Sequence, residues 1–260
     1  MKNALFAGKL SGGGLQVATS YINDLLENPE NSNVIFTSLI IHNNIFKNLS
    51  LDKQRKAKDY FELKIINNRN NLLNIKQQLF LNKFKIVFCI FGPLYSIPFL
   101  KKFTLVSGFA RPDMIFKEIY QYKGLIEKLK ILFSKVIFKL NTDFYIVETD
   151  LVKERLCNFF NLRNKVIYVV HNSISTQIRD KQINMKLIPL DNKKELNIGF
   201  LGKHYKHKRI DILIKSLEHL SKNYNLNVEF LVTLQEKEFL NFLKKIKNKF
   251  KVKNLGYLKH

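Results

Sequence analysis

Leu196–Leu220 reads LNIGFLGKHYKHKRIDILIKSLEHL. It begins as an apolar strand carrying Ile198, Phe200 and Leu201. A loop with Gly202, Lys203 and Lys208 follows, and Ile210 opens an amphipathic helix. A strand that runs through a basic loop into a helix makes an anion site. The lysine ammonium groups, the first N–H groups of the helix and the helix dipole converge on one point. Two lysines five residues apart suit a diphosphate better than a carboxylate. The stretch therefore predicts an α/β fold together with a phosphate-bearing ligand.

Outward from this stretch, the same alternation recurs. Downstream, strand 227–233 is followed by helix 234–250, and Asn254–Tyr257 reads as a closing strand. Upstream, Ser173–Glu195 is polar and poor in periodic apolar residues, which predicts a linker. Before it, strand-like Ala4–Ala7 leads through Ser11-Gly12-Gly13-Gly14 into a helix from Leu15 to Leu26. Val34–Ile41 reads as the next strand, Lys53–Phe61 is ambiguous, and Leu72–Leu81 reads as a helix. Lys85–Phe91 is nearly all apolar, as in a strand covered on both faces of a parallel sheet. Thr104–Ser107, Phe144–Val147 and Val166–Val170 are further strands, and Leu151–Phe160 is a helix. Strands alternating with helices predict an α/β fold with mainly parallel sheets. The expected organisation is a domain over 1–180, a linker over 181–195 and a second, incomplete domain over 196–260. Only three strands are expected in that second domain, fewer than a doubly wound domain normally holds.

The chain has 260 residues, 46% of them hydrophobic, which is enough for a substantial core. Its net charge is +23. Residues 1–180 carry 26 Lys and Arg against 14 Asp and Glu, and residues 181–260 carry 18 against 7. Such charge attracts phosphates, lipid headgroups or nucleic acid. Heavy Lys, Ile and Asn usage with no Trp also fits a simple coding bias. The charges are spread rather than striped and no nucleic-acid-binding motif accompanies them, so specific nucleic-acid recognition is not expected. Cys89 and Cys157 lack metal spacing and are too few for a disulfide framework, which suits a reducing cytoplasm. MKNALFAGKLSGGG has too short an apolar run for a signal peptide. The longest uncharged run, Ile86–Leu100, is too short to span a bilayer and is broken by Gly92, Pro93 and Pro98.

Gly124–Leu140 is strongly amphipathic. Leu125, Leu129, Leu132, Phe133, Val136 and Leu140 oppose Lys128, Lys130, Lys135 and Lys139. The plain reading is a helix packed on the core by its apolar stripe. The alternative is a helix lying on an anionic membrane surface.

Four segments, taken in order, resemble the retaining glycosyltransferases of family 4, which have the two-domain GT-B fold. The first is Gly12-Gly13-Gly14 with Leu15–Ala18. The second pairs Phe91–Tyr95 with Val106–Pro112. The third runs from Tyr145–Val152 to Val169–Ile174. The fourth is Phe200-Leu201-Gly202-Lys203 with Lys208, Asp211 and Leu213.

The resemblance implies transfer of a sugar from a nucleotide-sugar donor to a surface polysaccharide or glycolipid with retention of configuration, a hexosyltransferase-like activity. It implies that the C-terminal domain holds the donor and the N-terminal domain the acceptor. No cofactor or metal is implied, since basic side chains neutralise the leaving diphosphate; Lys203 and Lys208 suit that task. Gly202, Lys203, Lys208, Gly12, Gly13 and Gly14 are the expected diphosphate-binding residues. Arg111, Asp113, Glu148 and Asn172 are the acceptor-side candidates, and no residue is assigned as the catalytic group.

The implied location is cytoplasmic, with the inner face of the plasma membrane as a peripheral partner. Departures from the family pattern are Lys203 in place of Arg, which loses the bidentate fork, and Arg209 and Ser173 in place of Gly. The family's pair of glutamates, eight residues apart, would fall beyond position 260. That supports a rival reading as a truncated, inactive remnant or scaffold; a basic nucleic-acid binder is the remaining alternative.

Overall fold

The computed structural model of the chain describes residues 2–67, 73–116, 124–162, 166–171, 195–201, 210–224, 226–244 and 250–256. Two compact units are present, Met1–Gln182 and Ile183–His260.

In the first unit, β1 (Asn3–Ala7) leads to α1 (Gly13–Leu25), α2 (Pro29–Ile35), β2 (Ser38–His42), α3 (Asn43–Phe46), α4 (Leu51–Tyr60) and β3 (Glu62–Ile66). Then come α5 (Ile75–Leu81), β4 (Ile86–Cys89), a 3-10 turn (Pro98–Leu100), β5 (Thr104–Gly108) and α6 (Pro112–Ile115). The last described elements of the unit are α7 (Leu125–Asn141), β6 (Phe144–Val147), α8 (Asp150–Phe160) and β7 (Ile167–Val169). The seven strands form one sheet in the order β3-β2-β1-β4-β5-β6-β7, and every pairing is parallel.

The central strands are apolar on both faces because helices cover both. Leu5 and Ala7 of β1 pack with Ile22, Leu26 and Ile41 on one side. Ala4 and Phe6, pointing the other way, pack with Leu81, Val87 and Leu105. This is the alternation of side chains along a strand, with both sides buried. A third core is aromatic. Phe138 of α7, Tyr145 of β6 and Phe160 of α8 are buried together with Phe109. The Tyr145 hydroxyl donates to the Phe138 carbonyl at 2.9 Å, and burial pushes its phenol up.

The second unit holds β8 (Glu195–Phe200), α9 (Ile210–Asn223), β9 (Asn227–Val232), α10 (Glu236–Leu243) and β10 (Lys251–Asn254). Its parallel sheet runs β10-β9-β8. Ile210, Leu217, Val228, Phe230, Val232 and Phe242 form its core. Asn254 fastens the end of β10 to the end of β9. Its Oδ1 accepts from Leu234 N–H and its Nδ2 donates to Leu234 O, both at 3.1 Å.

The α/β class with two parallel sheets, the second small, is the one read from the sequence. Several local expectations are corrected. Val34–Ile41 is not one strand: Val34 and Ile35 end α2, which starts at Pro29, and β2 begins at Ser38. The continuous apolar run hid the helix end. The ambiguous Lys53–Phe61 segment is α4, started by Ser50, whose hydroxyl accepts from Lys53 N–H at 3.3 Å. β3 follows it at once, in a stretch for which no element is expected from the sequence. The closing strand ends at Asn254 rather than beginning there, and α10 stops at Leu243.

The largest correction concerns α7. It turns Ser134, Phe138 and Asn141 to the core, while Leu125, Leu129, Leu132, Phe133, Val136 and Leu140 are exposed. The core side holds polar residues because they have bonds to make. Asn141 Nδ2 donates to Leu94 O (3.2 Å) and Ser96 O (3.0 Å), clamping the segment after β4.

Candidate functional site

In a parallel sheet all carboxyl ends lie on one edge, and ligands bind where the strand order reverses direction. Here that place is between β1 and β4. A cavity of about 790 Å³ opens there. The loop after β1 contributes Lys9, Leu10 and Ser11, and α1 contributes Gly14. The loop after β4 contributes Phe91, Gly92, Pro93 and Tyr95. Ala110 and Arg111 come from the segment after β5, and Lys130, Phe133 and Ser134 from α7.

Glycine shapes this site at two points. Gly12 caps α1 at φ 56° and ψ −134°, a conformation closed to most side chains. It aims the helix start at the cavity. Gln16 N–H bonds back to Gly12 O at 3.3 Å, so the N–H groups of Gly13, Gly14 and Leu15 precede the first intrahelical bond. A Cβ on Gly13 would meet nothing within 4 Å, and one on Gly14 would rest 3.7 Å from the Phe91 ring. The second point is Gly92. A Cβ there would run into Ser107 Oγ and come within 2.8 Å of the Phe138 ring. Its N–H donates to Gly108 O at 2.9 Å, drawing the loops after β4 and β5 together.

Other bonds hold the walls. Asn44 Nδ2 donates to Leu10 O at 2.7 Å, tying the loop after β1 to α3. The Tyr95 hydroxyl and Ser134 Oγ lie 3.1 Å apart. The Tyr95 and Phe133 rings are stacked, 6.2 Å between centroids. Cys89 ends β4 beneath the loop, donating to Phe91 O at 3.4 Å. Burial pushes its thiol up to about 12, so it packs rather than acting as a nucleophile.

The electrostatics are one-sided. Lys9, Arg111 and Lys130 line the cavity, and none of the described lining residues is acidic. The first turn of α1 also lacks an acidic residue, so its positive dipole end is not neutralised locally. The arrangement can hold an anion and place aromatic faces beside it.

Of the residues expected from the sequence, Gly14 and Arg111 meet in this cavity, and Gly12 and Gly13 border it in the chain. Glu148 does not join them. It follows β6, is exposed, and its carbonyl accepts from His171 Nδ1–H at 3.0 Å. Asp113 lies in α6, but its side chain is outside what the structure describes, and Asn172, Gly202, Lys203 and Lys208 lie outside the described residues. Lys9, Tyr95, Lys130 and Phe133 were not expected as site residues. Lys9 stands just before the glycine run, a usable signal. In the sequence, Lys130 and Phe133 carry only the signal of an amphipathic helix.

No family model matches the chain, and no curated protein matches it. Among solved structures, the chain is similar to Alr3699/HepE of Anabaena, whose crystal structure was determined in complex with UDP and glucose. The identity is 12%, the TM-score 0.54, and the match covers 100% of this chain and 70% of that one. At that identity the likeness is one of fold.

Proposed function

We propose that the chain is a glycosyltransferase of GT-B type that uses a nucleoside-diphosphate sugar. The observation that carries this reading is the cavity at the reversal of the parallel sheet, where Lys9, Arg111 and Lys130 are the charged groups among the described lining residues and the Gly12–Gly14 helix start borders it. The fold likeness to HepE, a structure holding UDP and glucose, supports it. So does the ordered set of family-4-like segments in the sequence.

Of the residues read from the sequence as diphosphate-binding, Gly12, Gly13, Gly14 and Gly202 would offer backbone N–H groups, and Lys203 and Lys208 would offer positive charge. Arg111 orients the acceptor, with Asp113, Glu148 and Asn172 as further acceptor-side residues. Cations and N–H dipoles fixed in advance stabilise the negative charge that grows on the leaving diphosphate as the glycosidic bond breaks. In this reading the lysine cations take the place that a metal would otherwise fill on the diphosphate. The transferred hexose keeps its anomeric configuration, and the acceptor is a surface polysaccharide or glycolipid.

Calorimetry with UDP, ADP and GDP tests the reading. One of them should bind, and Lys208→Ala should weaken it by about 1.5–3 kcal/mol, the worth of a hydrogen bond to a charged group. Arg111→Ala should reduce turnover with a glycan acceptor more than it weakens that binding. Failure of all three nucleotides to bind would refute the donor assignment.

A further inference from the structure

α7 presents the wrong face to solvent for a globular helix. At about 100° per residue, Leu125, Leu129, Leu132, Phe133, Val136 and Leu140 fall within an arc of about 100°. Ile126 widens it slightly. The buried residues Ser134, Phe138 and Asn141 centre about 150° away on the same wheel. The apolar arc is therefore directed outward. Leu125 and Ile126 are 73% and 70% exposed, and Phe133 is 60% exposed. Lys128, Lys135 and Lys139 flank the arc on one side and Lys130 on the other, and Glu127 is the helix's one acidic residue.

An outward apolar stripe between lysines fits an interface where hydrocarbon meets anionic headgroups. The apolar side chains enter the acyl boundary and rim lysines such as Lys128 reach up to phosphates, while the Lys135 ammonium lies over the Phe159 ring, 4.3 Å from its centroid. At 17 residues with four lysines the helix suits lying along a bilayer rather than crossing it. Charge argues against a second copy on this face. A two-fold pairing of α7 on α7 would set lysine rims against lysine rims, with only Glu127 to offset them.

The geometry points to α7 as a membrane-docking helix that seats its apolar face in an anionic lipid surface. Lys130, Phe133 and Ser134 also line the cavity, so docking sets that cavity beside the headgroups. The docking stands without the transferase reading. If that reading also holds, the acceptor is one carried by a lipid.

Flotation of the full chain with vesicles tests this. Recovery should be high on phosphatidylcholine–phosphatidylglycerol vesicles and low on phosphatidylcholine alone. Leu129→Ser with Leu132→Ser keeps every charge and should cut recovery about ten-fold or more. Lys128→Gln should cut it about five-fold. Equal recovery on both vesicles, or a double variant that floats like the parent, would overturn the proposal, the latter by showing that net charge alone suffices. So would a concentration-dependent dimer that the double variant abolishes, which would assign the face to a second copy. Circular dichroism confirms that the variants are folded, and nucleotide calorimetry, run apart, shows whether the transferase reading fails independently.

Discussion

α1 and α7 both border the cavity, and both are amphipathic, yet they face opposite ways. α1 turns Ala18 and Ile22 wholly into the core and offers its backbone start to the cavity. α7 turns Ser134, Phe138 and Asn141 inward and its leucines outward. The difference teaches that an apolar stripe marks a surface to be covered without saying what covers it. In α1 the cover is the sheet. In α7 the inward face was claimed by other needs, namely the Asn141 clamp on Leu94 and Ser96 and the Phe138 ring in the aromatic core.

The contrast can be broken by mutation. Phe138→Ala should cost the most, about 3–5 kcal/mol, because the ring is fully buried against Phe109, Tyr145 and Phe160. Urea unfolding measures it, and a loss under 1 kcal/mol would mean that the described face is not the packed one (~1 kcal/mol is an ordinary single-mutant effect). Ile22→Ala, the matching test on α1, should cost about 2–5 kcal/mol by the same measurement. Gly92→Ala should cost about 1–3 kcal/mol, since the new methyl must displace both Ser107 Oγ and the Phe138 ring. It should also lower nucleotide or acceptor binding, because the loops after β4 and β5 part. Leu132→Ser, on the outward face of α7, should change stability by no more than about 0.5 kcal/mol. A loss as large as that of Ile22→Ala would show that protein covers this face.

Much of the fold was legible because it rests on local rules. β6 matches the reading over Phe144–Val147 residue for residue, and β4 and β5 within a residue or two. A run of apolar residues between polar turns leaves little choice when both faces are to be buried. The segment from α2 to β3 was misread because its signals overlap. Val34 and Ile35 belong to a helix, are exposed, and run straight into the apolar β2. The site was half legible. The glycine run and Arg111 announce themselves by a special conformation and a position after a strand. Lys9, Lys130 and Phe133 carry no such mark, since their role depends on which strand neighbours which.

The sequence by itself determined the alternation of strands and helices, the parallel sheets and the basic turns at strand ends, because periodicity and turn chemistry act over a few residues. Only the tertiary structure decided that β1 and β4 are neighbours, and so that the glycine turn, Arg111 and α7 share one cavity. It alone decided that the leucines of α7 face out. Both are matters of long-range competition for the same core, which no local pattern encodes.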